Sequence, residues 1–105
     1  MDTEDPFLYE LERVVQQRIA AADGYSYTAK LVAEGTARIA QKVGEEALEV
    51  ALASVTDSGD EFLRNEIADL IFHLLVLMAD RGIRLTDIAA LLRERHAARQ
   101  PSLDR

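Results

Sequence analysis

Two runs of acid set into apolar helical stripes constrain this chain more than any other feature. In Lys42-Val43-Gly44-Glu45-Glu46-Ala47-Leu48-Glu49-Val50, residues three and four apart share a helix face, so Glu45 and Glu46 both adjoin Glu49 and repel it. Ile39, Val43, Glu46 and Val50 lie on one stripe, which places Glu46 inside an apolar seam. A second stripe, Phe62, Glu66, Asp69, His73 and Val76, repeats the arrangement. A solvated face is the ordinary explanation of any one glutamate. Here carboxylates alternate with apolar residues on two helices, and unpaired buried charge is costly, so both helices are expected to aim acid at their packed side for a purpose.

The rest of the chain reads as helix around these two. Asp5-Pro6 offers a cap and a first-turn proline for a first helix running to about Ala22, with Phe7, Leu8, Leu11, Val14, Val15 and Ile19 on its apolar face. Glu10, Glu12, Arg13, Gln16 and Gln17 take the other face, and Asp23-Gly24 supplies a stop. Tyr25 to Gly35 is short and mixed and reads as an ordered connector, with Ser26 or Thr28 able to cap one short turn. The second helix is expected from Thr36 to near Val55. Gly44 inside it costs roughly 1 kcal/mol against alanine, which close packing or access to a ligand would justify. Ser58 with Glu61 makes a capping box for a third helix that ends at Arg81 before Gly82. A fourth, Thr86 to about Ala98, turns Ile88, Leu91 and Leu92 inward and ends at Gln100-Pro101.

The third helix is apolar on most sides, with one seam of Leu63, Ile67, Leu70, Leu74 and Leu77 and a second of Ile71, Leu75 and Met78. Such a helix must be buried on most sides. Four helices from one short chain cannot surround it, so the expectation is an all-α, four-helix bundle-like chain that forms an intertwined or tightly packed homodimer. The whole of 1–105 reads as a single domain with its core at about 6–98 and loose ends at 1–5 and 99–105.

Composition excludes other classes. A formal charge of -7 and a pI near 4.7 argue against a nucleic-acid-binding surface. No cysteine means no disulfide and no thiolate site. Leu70 to Ala79, the longest apolar run, is interrupted by His73 and is too short for a membrane span, and the acidic start does not resemble a signal peptide. A cytoplasmic location is the default expectation. The glycines at 24, 35, 44, 59 and 82 lack the spacing of a phosphate-cradling loop, and no serine or cysteine nucleophile has a base near it.

Hard divalent cations want oxygen ligands, and magnesium takes a few carboxylates together with waters and substrate phosphates. Di-iron bundles pair glutamate with histidine at three-residue spacing, whereas Glu66-x-x-Asp69 carries an acid there. Magnesium, with manganese as the alternative, is therefore expected over iron. Lys42 suits either an ion pair with Glu45 or Glu46 or a grip on phosphate, and Arg38 is in the same position. His73 is either a satisfied packing histidine or a substrate contact, and His96 belongs to a charged surface. Tyr25 and Tyr27 read as packing groups more readily than as base-stacking platforms.

Ala37-Arg38-Ile39-Ala40-Gln41-Lys42-Val43-Gly44-Glu45-Glu46-Ala47-Leu48-Glu49-Val50-Ala51-Leu52-Ala53 and Glu66-Ile67-Ala68-Asp69-Leu70-Ile71-Phe72-His73-Leu74-Leu75-Val76-Leu77 closely resemble the phosphoribosyl-ATP pyrophosphohydrolases of histidine biosynthesis. The likeness extends to Ser26-Tyr27-Thr28-Ala29-Lys30-Leu31 and to Arg81-Gly82-Ile83, covering nearly all of 7–97. The acidic pattern alone would indicate the wider all-α nucleoside triphosphate pyrophosphatases. The resemblance implies an all-α homodimer that uses magnesium to hydrolyse phosphoribosyl-ATP to phosphoribosyl-AMP and pyrophosphate. It implies a metal site of Glu45, Glu46, Glu49, Glu66 and Asp69, with Glu46 by preference, or Glu45, as base for the attacking water. Lys42, Arg38, Lys30 and His73 become candidates for substrate contact.

This domain is often fused to the cyclohydrolase of the next step, whose metal ligands include cysteine, so a chain without cysteine is expected to be the stand-alone form. Phe72 stands where relatives are expected to carry tyrosine, a change confined to packing. Two rivals remain: a house-cleaning pyrophosphatase for non-canonical nucleotides, and a non-catalytic helical dimerisation module. The segment Tyr25 to Leu31 disfavours the first. A pure dimer seam would put leucine or alanine at Glu46 and Asp69, which disfavours the second.

Overall fold

The computed structural model describes residues 6–21 and 26–99. Within them the chain is all helix: α1 Phe7–Ala21, α2 Tyr27–Ala33, α3 Thr36–Val55, α4 Asp60–Arg81 and α5 Leu85–Ala98. The expected cap at Asp5, the stop at Asp23-Gly24, Tyr25 and the end at Gln100-Pro101 lie outside the described residues. The ends of α3 and of α4 fall where the periodicity put them.

α3 and α4 form an antiparallel hairpin and share the most extensive interface in the chain. Its open end is pinned by the Thr36 hydroxyl, at the start of α3, donating to Asp80 Oδ2 near the end of α4 at 2.7 Å. At the other end the tight turn 56–59 joins them. Ser58 does not cap α4 as expected: the cap position is Gly59, at φ 96°, and no side chain bonds there. Ser58 Oγ instead lies 2.8 Å from Thr56 Oγ1, closing the turn on itself. α4 ends as expected at Gly82, whose left-handed φ of 73° suits glycine, and the Ile83 amide returns to the Met78 carbonyl at 2.8 Å.

The segment read as a connector is a true helix. Ser26 Oγ accepts from the Ala29 amide at 2.9 Å, and α2 then makes two turns that bury Thr28, Ala29 and Leu31. Its short length is offset by packing on three sides, since α1, α3 and α4 all touch it. The core is Val15, Leu31, Ile39 and Val76, one residue from each of α1 to α4, with Ile19, Val32, Phe72, Leu77 and Ala79 packed around it.

Two faces differ from expectation. Glu12, assigned to the solvated side of α1, is 9% exposed, and its Oε2 accepts the Leu85 amide at 2.7 Å. A helix's first amides have no partner within the helix, so this carboxylate serves as a cap supplied by another element. Asp87 reaches back to the Arg84 amide at 2.8 Å and completes the start of α5. Beyond that start α5 has no buried residue, and Ile88, Leu91 and Leu92, expected inward, are 37%, 42% and 55% exposed. Among the described residues no other helix shares an extensive interface with α5.

On α4 the buried residues are His73, Leu75 and Val76, whereas Ile67, Ile71 and Leu74 stay partly exposed. A helix apolar on most sides gives no periodic signal of which face its own chain covers; α1, α2 and α3 cover one side only. Leu48, Leu52 and Val55 of α3 and Phe62 of α4 are also exposed. Gly44 has nothing within 4 Å of where a Cβ would stand, so packing inside the chain does not require it.

Candidate metal centre

The hairpin brings the two acidic runs face to face. Oxygens of Glu46, Glu66 and Asp69 lie within 4.8 Å of one another. Glu46 and Glu66 are half-buried and Asp69 is exposed, so the group sits at the edge of the α3–α4 seam and opens to solvent. The positions follow from the local sequence: Ile39 and Val76, fully buried, fix which faces of α3 and α4 meet, and Glu46, Glu66 and Asp69 lie on the continuations of those faces.

Glu46 Oε1 and Glu66 Oε1 are buried without a hydrogen-bond partner. A carboxylate oxygen out of water and unpartnered is costly, and two in one cluster repel each other. Glu66 shows the effect. The hydrogen bond it shares with Glu49, which forms only while one of the two carries a proton, raises its pKa from 4.5 to about 7, with desolvation and the charges of Glu49, Glu46 and Asp69 adding to the rise. Glu49 thus belongs to the group through Glu66. A divalent cation removes the same repulsion without a proton, and an all-oxygen set suits magnesium or manganese. The buried, unpartnered oxygens fit such an ion.

Glu45 faces elsewhere: its oxygens receive Gln41 Nε2 at 3.1 Å and lie 3.7 Å from Lys42 Nζ. Arg38 pairs with Glu34 at 3.2 Å, a link of one turn across the α2–α3 junction. Lys30 is exposed on α2. The structure therefore gathers Glu46, Glu49, Glu66 and Asp69, and holds Lys42 and Arg38 in ion pairs on the helix flank.

His73 is 7% exposed and both its ring nitrogens are engaged. Nδ1 lies 3.0 Å from the Asp69 carbonyl, which can only accept, so Nδ1 carries the hydrogen. In the neutral ring Nε2 then accepts from the Tyr27 hydroxyl at 2.8 Å. Tyr27, Phe72 and His73 also pack ring against ring, with centroids 5.4 to 6.3 Å apart. Sequence reasoning weighed Tyr27 as a packing group or a base-stacking platform, not as a hydrogen-bond partner of His73. Its hydroxyl in fact ties α2 to the turn of α4 that carries Asp69, and a pairing across 46 residues leaves no periodic trace.

Residues 8–96 match the family described as phosphoribosyl-ATP pyrophosphohydrolase. Among curated proteins, the histidine biosynthesis bifunctional protein HisIE of Photorhabdus laumondii is 53% identical over 93 residues, 89% of this chain and 46% of that protein. HisIE of Escherichia coli K12 is 53% identical over 90 residues, 86% of the chain and 44% of that protein. HisIE of Photobacterium profundum is 54% identical over 91 residues, 86% and 43% respectively. The chain thus spans less than half the length of these relatives. With a match over 8–96 that takes in both acidic runs and the Tyr27–His73 tie between them, the chain belongs to the phosphoribosyl-ATP pyrophosphohydrolase family.

Proposed function

We propose that this chain hydrolyses phosphoribosyl-ATP to phosphoribosyl-AMP and pyrophosphate with magnesium, manganese being the alternative ion, as a step of histidine biosynthesis. The observation that carries this is the gathering of Glu46, Glu66 and Asp69 around two buried, unpartnered carboxylate oxygens. Glu46, Glu49, Glu66 and Asp69 would hold the ion, with Glu45 at the flank. When bound, it neutralises triphosphate charge and makes bound water a better nucleophile.

The protein's own groups account for the rest. The free oxygen of Glu46 accepts the proton of the attacking water as a new phosphorus–oxygen bond forms and the α–β anhydride bond breaks, and pyrophosphate leaves. Glu45 is the second candidate for that proton. Lys42, Arg38 and Lys30 supply positive charge on the flank from which a polyanion approaches; Lys42 and Arg38 exchange carboxylate partners for phosphate. His73 and Tyr27 hold the Asp69 turn still, so that the acids need not reorganise when substrate arrives. The exposed apolar residues Leu48 of α3, Ile67, Ile71 and Leu74 of α4 and Leu91 and Leu92 of α5 support a homodimer in which a second copy covers them. No helix among the described residues is long and apolar enough to cross a membrane, which accords with a cytoplasmic enzyme.

The test is pyrophosphate release from phosphoribosyl-ATP with and without magnesium. Glu46→Gln and Asp69→Asn each keep shape while removing charge, and each is expected to lower turnover by at least about a hundredfold with the circular dichroism of the wild type. Unchanged turnover in both would remove the metal-site assignment. Faster hydrolysis of a non-canonical deoxynucleoside triphosphate would transfer the function to the house-cleaning class, and no hydrolysis of either would favour a dimerisation module.

A further inference from the structure

Beside the acidic group lies a cleft of about 460 Å³ that the mechanism above does not use. It is bounded by Leu52 and Ala53 from the end of α3, Thr56 and Ser58 from the turn, and Phe62 from the start of α4, with Glu49 and Glu66 as the wall it shares with the acidic group. Its volume falls in the roughly 300–1,000 Å³ range of small-molecule sites, and its lining of apolar groups with a few hydroxyls is the usual composition of one.

We infer that this cleft takes the adenine ring of the substrate, stacked on Phe62 and read by Thr56 and Ser58, an assignment that rests on the proposed phosphoribosyl-ATP chemistry. Three features favour the base over the substrate's other parts. The lining offers no lysine or arginine to pair with a ribose phosphate. Phe62 is 47% exposed, leaving ring surface open to a planar ligand at the cleft. Thr56 and Ser58 hydroxyls bond each other at 2.8 Å, which leaves one donor and free lone pairs for ring nitrogens.

The carboxylates add discrimination. In phosphoribosyl-ATP the second ribose is carried on N1 of the adenine, which turns the ring and its exocyclic nitrogen into an amidine, a stronger base than the amine of ATP. The exocyclic N–H of a protonated amidine donates to a carboxylate oxygen of Glu49 or Glu66 that the ion leaves free, more strongly than the amine of neutral adenine does. The same two acids then face the phosphates through a cation on one side and the base on the other, which fixes the distance between base and scissile bond.

The experiment is steady-state kinetics of the full chain with phosphoribosyl-ATP and magnesium, for wild type, Phe62→Ala, Thr56→Val and Ser58→Ala. Phe62→Ala is expected to raise KM roughly tenfold or more, the scale of losing one base–aromatic stack, with kcat changed far less. Thr56→Val should raise KM severalfold and Thr56→Ser should restore it. In direct binding, Phe62→Ala should weaken phosphoribosyl-AMP and leave ribose 5-phosphate unaffected. If the wild type turns over phosphoribosyl-ATP and these variants keep its KM, the base lies elsewhere and the pyrophosphohydrolase reading stands. If the wild type does not turn it over, that reading fails instead. Loss of self-association by Phe62→Ala in sedimentation would assign the cleft to the interface between copies and overturn the inference.

Discussion

Glu66 gives up its proton well above the ordinary glutamate range, because it shares a hydrogen bond with Glu49, is partly desolvated, and is crowded by the charges of Glu49, Glu46 and Asp69. Its pKa is about 7 in the folded chain against 4.5 ordinarily, so between those values the folded state binds more protons than the unfolded one. Stability of the metal-free protein is therefore expected to fall as pH rises from 4.5 to 7 and to level off above, the sign appropriate to a raised acid. Melting temperatures in chelator across this range should show that slope, and Glu66→Gln should flatten it; an unaltered slope would locate the proton on another group. A cation competes with the same proton, so magnesium should bind more weakly below about 7. The inward aim of Glu46 and Glu66 was legible in the sequence from Ile39, Val43 and Val76 beside them. Which of Glu45, Glu46 and Glu49 turn towards Glu66 was not, since one helical turn allows all three and only the hairpin's register selects Glu46 and Glu49.

Among the elements, α5 depends most on a single contact. Its first amide, that of Leu85, is satisfied by Glu12 on α1, and no residue of α5 is buried. Glu12→Leu should leave that part-buried amide unpaired, at a cost of roughly 1 kcal/mol or more, while Glu12→Gln, which keeps an acceptor, should lose far less. Urea denaturation of both variants checks this; equal losses would mean that packing, not the cap, is what Glu12 contributes. Long elements with strong periodicity, α1, α3 and α4, were legible in the sequence to within a residue at the ends that are described. α2 was not, because seven residues carry too little periodicity and its helix is secured by burial of Thr28, Ala29 and Leu31 against three other helices.

At the scale of the molecule, exposed apolar side chains outside the cleft continue from Leu48 and Val55 of α3 to Ile67, Ile71 and Leu74 of α4. Leu48, 60% exposed and outside the core cluster, can be changed without disturbing the fold. Leu48→Glu is expected to shift sedimentation towards the monomer and to make the melting temperature of the wild type, but not of the variant, depend on protein concentration. A single species of one chain's mass in the wild type at all concentrations would end the dimer proposal.

The amino-acid sequence alone determined that the chain is helical, where the long helices run, and that acid is directed into an apolar seam, because periodicity and capping are local properties. Tertiary structure decided which carboxylates meet, that Tyr27 reaches His73, that Glu12 is buried, and that α4 hides Leu75 and Val76 while exposing Ile71. Those outcomes depend on contacts between residues far apart in the chain, and a helix apolar on most sides carries no record of which neighbour will cover it.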